Sequence, residues 1–142
     1  MVGVVVATHG RLGEALLACA EAIVGKMPRV ESLRVGSDVP LDQAHDALAV
    51  AIHDLDAGDG VLVLTDMLGG TPSNLALGFL DARVEVVAGV NLPMLLKLAS
   101  CRTEGAALRD VARMLEGYGR KSIALASELL RDRARQEGAD LP

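Results

Sequence analysis

Apolar positions along the chain follow two periods in turn. Val2-Gly3-Val4-Val5-Val6-Ala7 is a short β-branched run closed by Thr8-His9-Gly10, the pattern of a strand buried on both faces. From Leu12 to Val24 the apolar residues Leu12, Ala15, Leu16, Cys19, Ala20 and Ile23 recur at a helical spacing, and Gly25 to Pro28 stops that helix. Val30 to Val35 predicts a second strand. Gly36-Ser37-Asp38 then leads into a helix over Pro40 to Leu55, where Pro40 suits a first helical position and Ala57-Gly58-Asp59-Gly60 ends the run. Val61-Leu62-Val63-Leu64-Thr65 is the clearest strand, an uninterrupted run of the kind found at the centre of a parallel sheet. It leaves through Asp66-Met67-Leu68-Gly69-Gly70-Thr71-Pro72 into a helix from Pro72 to about Leu80. Val84 to Ala88 predicts a fourth strand, and Gly89-Val90-Asn91-Leu92-Pro93 opens a helix that continues through Ser100. A further helix is expected over about Glu104 to Glu116. Ser122 to Ala126 fits either a fifth strand or the start of a C-terminal helix, with the strand preferred.

Strands alternating with helices at this spacing imply right-handed crossovers and a doubly wound α/β fold with a mainly parallel sheet, in the flavodoxin-like order 2-1-3-4. The 142 residues make about one ordinary domain, and 51% hydrophobic with 23% charged residues excludes a disordered chain. The net charge is −5, the pI is about 5.1, and Tyr118 and Phe79 are the only aromatics. That balance argues against a nucleic-acid binder, and the scarcity of aromatic side chains argues against a sugar or nucleobase pocket. Cys19 and Cys101 lack metal-like spacing and lie in apolar, helix-like stretches, so two buried free thiols in a reducing compartment are expected. No apolar run is long enough to cross a bilayer, and the opening run has no basic leader or cleavage site, so the expected location is cytoplasmic, without membrane insertion. Asp38 to Asp59 holds six aspartates and no lysine or arginine, which reads as a solvated helix face before a docking surface.

Ligands of open α/β sheets collect at the carboxyl ends of strands, where the winding direction reverses. The residues leaving the first and third strands therefore matter most: His9 and Gly10 after one, Asp66 with Gly69, Gly70 and Thr71 after the other. A neutral imidazole is a good nucleophile toward a phosphoryl group, and a carboxylate bonded to Nδ1–H fixes the tautomer that presents the Nε2 lone pair. Asp66 can supply that carboxylate to His9. The N–H groups of Gly69, Gly70 and Thr71 at a helix entrance suit an anion, the Thr71 hydroxyl adds a donor, and Gly10 lets the backbone turn sharply beside His9. Each part also has a plain structural reading, a lone histidine after a strand and a good loop into a helix. His45 and His53 lie on the polar second helix and read as solvated. The P-loop, G-x-G-x-x-G and G-x-S-x-G signatures are missing, so no nucleotide cofactor is expected, and no metal site is expected from the cysteine and histidine spacing.

Three runs, Val4-Val5-Val6-Ala7-Thr8-His9-Gly10, Leu64-Thr65-Asp66-Met67-Leu68-Gly69-Gly70-Thr71-Pro72-Ser73-Asn74 and Ala88-Gly89-Val90-Asn91-Leu92-Pro93-Met94-Leu95, stand in order over about residues 1 to 127. In these the chain resembles the mannose-family enzyme IIA component of the bacterial phosphoenolpyruvate-dependent sugar phosphotransferase system. The resemblance implies a phosphotransferase acting through a phosphohistidine. His9 would take a phosphoryl group from phosphorylated HPr and pass it to a IIB component, Asp66 would orient His9, and Gly70-Thr71 would lie by the phosphoryl group. It also implies sugar recognition by membrane components, and a homodimer that exchanges an antiparallel edge strand near the C-terminus. That would make Ser122 to Ala126 the swapped strand.

Arg11 and Leu68 stand where some relatives carry aromatic residues, which bears on the docking surface. The expected domain is 1–127, followed by a helical tail over 128–142, and the IIB partner is expected on a separate chain. A stand-alone regulatory phosphoprotein that signals through partner binding is the alternative reading.

Overall fold

Val4, Val5, Val6 and Ala7 are fully buried because helices cover both faces of their strand, which is also paired on both edges. In the computed structural model, which describes residues 1–138, this is β1 (Gly3–His9), flanked by β2 (Val30–Val35) and β3 (Val61–Thr65), with β4 (Val84–Ala88) outside β3. All pairings are parallel and the order is β2-β1-β3-β4, as the alternation of elements predicts.

The helices are α1 (Leu12–Val24), α2 (Leu41–Leu55), α3 (Thr71–Leu77), α4 (Leu92–Cys101), α5 (Leu108–Lys121) and α6 (Ala126–Glu137). Side chains alternate across the strands, so the sheet has two apolar faces. Val4, Val6, Leu62 and Leu64 pack against Ala20 of α1, Leu95 and Leu98 of α4, and Val111 and Leu115 of α5. Val5, Ala7, Val61 and Val63 pack against Leu48 and Leu55 of α2 and Ala76 of α3. Each fully buried leucine or valine contributes about 2 kcal/mol, and with both faces covered the carboxyl ends of β1 and β3 form the open crevice.

Several boundaries differ from the sequence expectation. Pro40 caps α2 instead of opening it, α3 starts at Thr71 and ends at Leu77, and Glu104 and Gly105 form a turn that delays α5 to Leu108. The strand expected over Ser122–Ala126 does not form within the single chain. The buried stripe of Val111, Ala112, Leu115 and Gly119 carries α5 on to Lys121, and Ser122 then closes the helix by donating its N–H and Oγ–H to the Tyr118 carbonyl at 3.1 and 2.8 Å. Only three residues then separate Ser122 from α6, too few to lay a strand along β4. Among the described residues the sheet therefore has four strands, and beyond a single bridge from Asp81 to Val84 the outer edge of β4 is unpaired. Of the tail expected over 128–142, residues 128–137 belong to α6, and 139–142 lie outside the described residues.

Both cysteines are free, but Cys19 is exposed where burial was expected; only Cys101 is enclosed. The outer part of α1, including Leu12 and Ile23, faces solvent, so its apolar spacing overstates the buried stripe. No helix among the described residues is long and apolar enough to cross a membrane.

Candidate functional site

Parallel register aligns Ala7 with Thr65, so the next residues along both strands, Thr8-His9 and Asp66, leave the sheet side by side. One oxygen of Asp66, Oδ2, accepts the main-chain N–H of His9 at 3.1 Å and lies 2.7 Å from His9 Nδ1. The other, Oδ1, accepts the N–H of Met67 at 3.1 Å. The Asp66 side chain is 11% exposed and that of His9 46%, so the carboxylate sits beneath an imidazole that faces solvent. Burial raises the pKa of Asp66, but the hydrogen bonds from the ring and main chain of His9 outweigh it and hold the carboxyl below its ordinary value.

The turn beside His9 is built from the sequence in a definite way. Gly10 has φ of 50°, the left-handed region, and its N–H donates to the Val35 carbonyl at 3.0 Å, tying the exit of β1 to the end of β2. Thr8 is fully buried, and its hydroxyl accepts the N–H of Gly13 at 2.7 Å, anchoring the first turn of α1.

The loop after β3 closes over the ring from the other side. Gly70 caps α3, and a methyl group on it would stand 2.8 Å from Cε1 of His9 and 3.5 Å from Nε2. That close approach, with φ at an ordinary −80°, is what demands glycine there. The first-turn N–H groups of α3 thus start beside the Nε2 edge of the imidazole, while Nδ1 is engaged by Asp66.

An open cleft of about 370 Å³ joins His9 and Thr71 to Val35, Gly36, Ser37, Val39 and Leu41. The sequence reading placed the chemistry on the exits of β1 and β3 and missed this third wall, the β2–α2 connection. The order 2-1-3-4 is the signal that could have found it, since it sets β2 next to β1. His45 and His53 are exposed and do not line this cleft, with His45 resting on Phe79 at 4.8 Å between ring centroids. Among the described residues no cluster of three or more His, Cys, Asp or Glu side chains is placed to hold a metal ion.

A family model described as the PTS system fructose IIA component, EIIA-man, matches residues 3–116. The chain belongs to the mannose-family EIIA proteins of the phosphotransferase system. The fructose-specific EIIA component of Bacillus subtilis is 32% identical over 132 residues, covering 92% of this chain and 90% of that protein. The mannose-specific EIIAB component of Escherichia coli K12 is 28% identical over 124 residues, covering 86% of this chain but only 38% of that longer protein. Among solved structures, the EIIA component from Streptococcus agalactiae superposes with a TM-score of 0.80 at 26% identity, covering 90% of this chain and 99% of that one. This EIIA-family chain has its α/β architecture in common with the Streptococcus agalactiae component.

Proposed function

We propose that this EIIA protein is a phosphocarrier whose His9 accepts a phosphoryl group from phosphorylated HPr and passes it to a IIB component during sugar uptake. The observation that carries the reading is the 2.7 Å contact between His9 Nδ1 and Asp66 Oδ2. With Nδ1 holding its proton against the carboxylate, the lone pair resides on Nε2, the nitrogen that Asp66 does not engage. That pair attacks phosphorus, a P–N bond forms at Nε2 as the P–N bond to the HPr histidine breaks, and the bonding electrons return to the donor imidazole. When the donor ring carries a proton on its other nitrogen it leaves as a neutral imidazole, and no proton has to move. The ring gains positive charge as it is phosphorylated, and Asp66 balances it.

Gly10 leaves the approach to His9 open, and the N–H groups of Gly69, Gly70 and Thr71, with the Thr71 hydroxyl, are assigned to the phosphoryl oxygens. The exposed side chains of Leu41, Met67 and Leu68 suit a protein partner that presents a second histidine or another nucleophile to Nε2. Residues 1–127 form the IIA unit in this reading, with 128–142 as a tail, no cofactor and a cytoplasmic location. Ile123 and Leu125, 78% and 64% exposed, support a homodimer in which Ser122–Ala126 pairs with the free edge of the partner's β4.

The test is incubation with phosphoenolpyruvate, enzyme I and HPr, read by intact mass and acid lability. Wild type should gain one acid-labile phosphoryl group and His9→Ala none. Labelling of His9→Ala to the wild-type extent would overturn the assignment, and absence of labelling on wild type beside demonstrably phosphorylated HPr would overturn the phosphocarrier reading itself.

A further inference from the structure

Thr65, the last residue of β3, and Ser73, in the first turn of α3, are both fully buried, with their hydroxyl oxygens 2.6 Å apart. Ser73 Oγ also lies 2.5 Å from the carbonyl oxygen of Met67. A carbonyl only accepts, so the single proton of Ser73 points at Met67, and the Thr65 hydroxyl must donate to Ser73 Oγ. The direction of both bonds is therefore determined. This relay closes the segment from Thr65 to Ser73 into a ring whose intervening residues carry Asp66, Gly69, Gly70 and Thr71.

We propose that the Thr65–Ser73 hydroxyl pair is a positioning device that holds Asp66 against His9. The backbone of Asp66 is pinned from both sides. Before it, the Thr65 carbonyl accepts the N–H groups of Gly89 and Val90, each at 2.9 Å. After it, Ser73 fixes the carbonyl of Met67, and the N–H of Met67 donates to Asp66 Oδ1. With Oδ1 committed to Met67, the second oxygen is turned toward His9, where it takes both the main-chain N–H and Nδ1. Two apolar side chains of the same size would fill the space but would not direct the Met67 carbonyl. Loss of the Ser73 hydroxyl also leaves that carbonyl without its side-chain donor, which favours a turn of the peptide away from the buried position. Neither hydroxyl touches the imidazole, so both act through Asp66.

This inference rests on the phosphocarrier reading for its rate measurement and on geometry alone for its spectroscopic one. The full chain is compared with Ser73→Ala and Thr65→Val by long-range 1H–15N NMR of the His9 ring across pH and by single-turnover transfer from phosphorylated HPr. Wild type should show the Nδ1–H tautomer of His9. Ser73→Ala should shift the ring toward a mixture of tautomers and slow transfer about tenfold or more, within the range seen when a supporting hydrogen bond behind a reacting ligand is removed. Thr65→Val keeps the bond from Ser73 to Met67 and should show the same shift to a smaller degree. Folded Ser73→Ala with the wild-type tautomer and rate would overturn the proposal; should that variant not fold, Thr65→Val with wild-type signals would do the same. Failure of HPr to label wild type would count against the phosphocarrier reading, while the NMR comparison would still decide whether the pair positions His9.

Discussion

Asp66 binds His9 twice through one oxygen, at 3.1 Å from the main-chain nitrogen and 2.7 Å from ring Nδ1. The double contact fixes backbone and side chain together, so the imidazole is oriented before any partner arrives. Asp66→Asn keeps the shape and removes the charge. Its amide can either accept from Nδ1–H weakly or donate to Nδ1 and force the proton onto Nε2, the nitrogen that must stay free. Phosphoryl transfer should fall about 10²- to 10⁴-fold with the melting temperature nearly unchanged. Single-turnover transfer from phosphorylated HPr measures this, and an unchanged rate would remove Asp66 from the chemistry.

The same carboxylate gives a pH dependence with a definite sign. Asp66 is held below its ordinary value in the folded chain, whereas an unfolded aspartate titrates near ~3.9. Its contribution to stability is thus complete above about pH 4 and is lost as pH falls through the lower, folded value. Asp56 has the same sign and a larger effect. It takes Arg83 Nε at 2.7 Å and Nη2 at 2.5 Å and also accepts the N–H groups of Gly58 and Gly60, and the Arg83 bonds chiefly drive its pKa far down. Urea midpoints between pH 7 and pH 3 should drop steeply for wild type, less steeply for Asp66→Asn and least for Asp56→Asn. Equal slopes for wild type and Asp56→Asn would show that the ion pair at the entry of β3 and β4 stabilises nothing.

Gly70→Ala tests the contact between the loop and the ring. The added methyl would meet Cε1 of His9 at 2.8 Å and Cγ of Met67 at 3.2 Å. Met67 is exposed and can move, whereas the imidazole is held at Nδ1 by Asp66, so the ring is the group placed under pressure. The expected outcome is a folded protein with transfer reduced about 10²-fold, since displacement of a reacting atom by an ångström has that scale of effect. Transfer at the wild-type rate would mean that the loop yields instead of the ring.

The sequence pattern carried the sheet order and the approach of His9 to Asp66, because both follow from which strands are buried on two faces and which residues leave them. Three features were not readable, each for a physical reason. Ser122–Ala126 has strand-like composition, but whether it pairs depends on a neighbouring edge and on how far α5 extends, neither of which a short window contains. The wall formed by Gly36 to Leu41 carries no reactive group and enters the cleft only through its place beside β1. Thr65 and Ser73 look like ordinary polar residues flanking a loop, and their meaning comes from full burial at 2.6 Å, a fact of tertiary packing. Cys19 failed in the opposite direction, since an apolar helical spacing does not say how wide the covered stripe is.

Arg102 separates stability from chemistry at the far end of the same strand. It is 4% exposed, and its guanidinium donates to the carbonyls of Pro28 at 2.7 Å, Val2 at 3.0 Å and Arg29 at 3.3 Å. It thereby joins the entries of β1 and β2, opposite to the His9 end, and burial pulls its pKa below the usual arginine value. Arg102→Met preserves most of the apolar stem but leaves three carbonyls without this donor. The loss should be about 3 kcal/mol, lowering the melting temperature by roughly 10 °C. Transfer at His9, measured well below that melting point, should stay at the wild-type rate. A variant that melts like wild type would show that water replaces the guanidinium without loss, and a variant that stays folded but no longer accepts phosphoryl groups would show that the two ends of β1 are coupled.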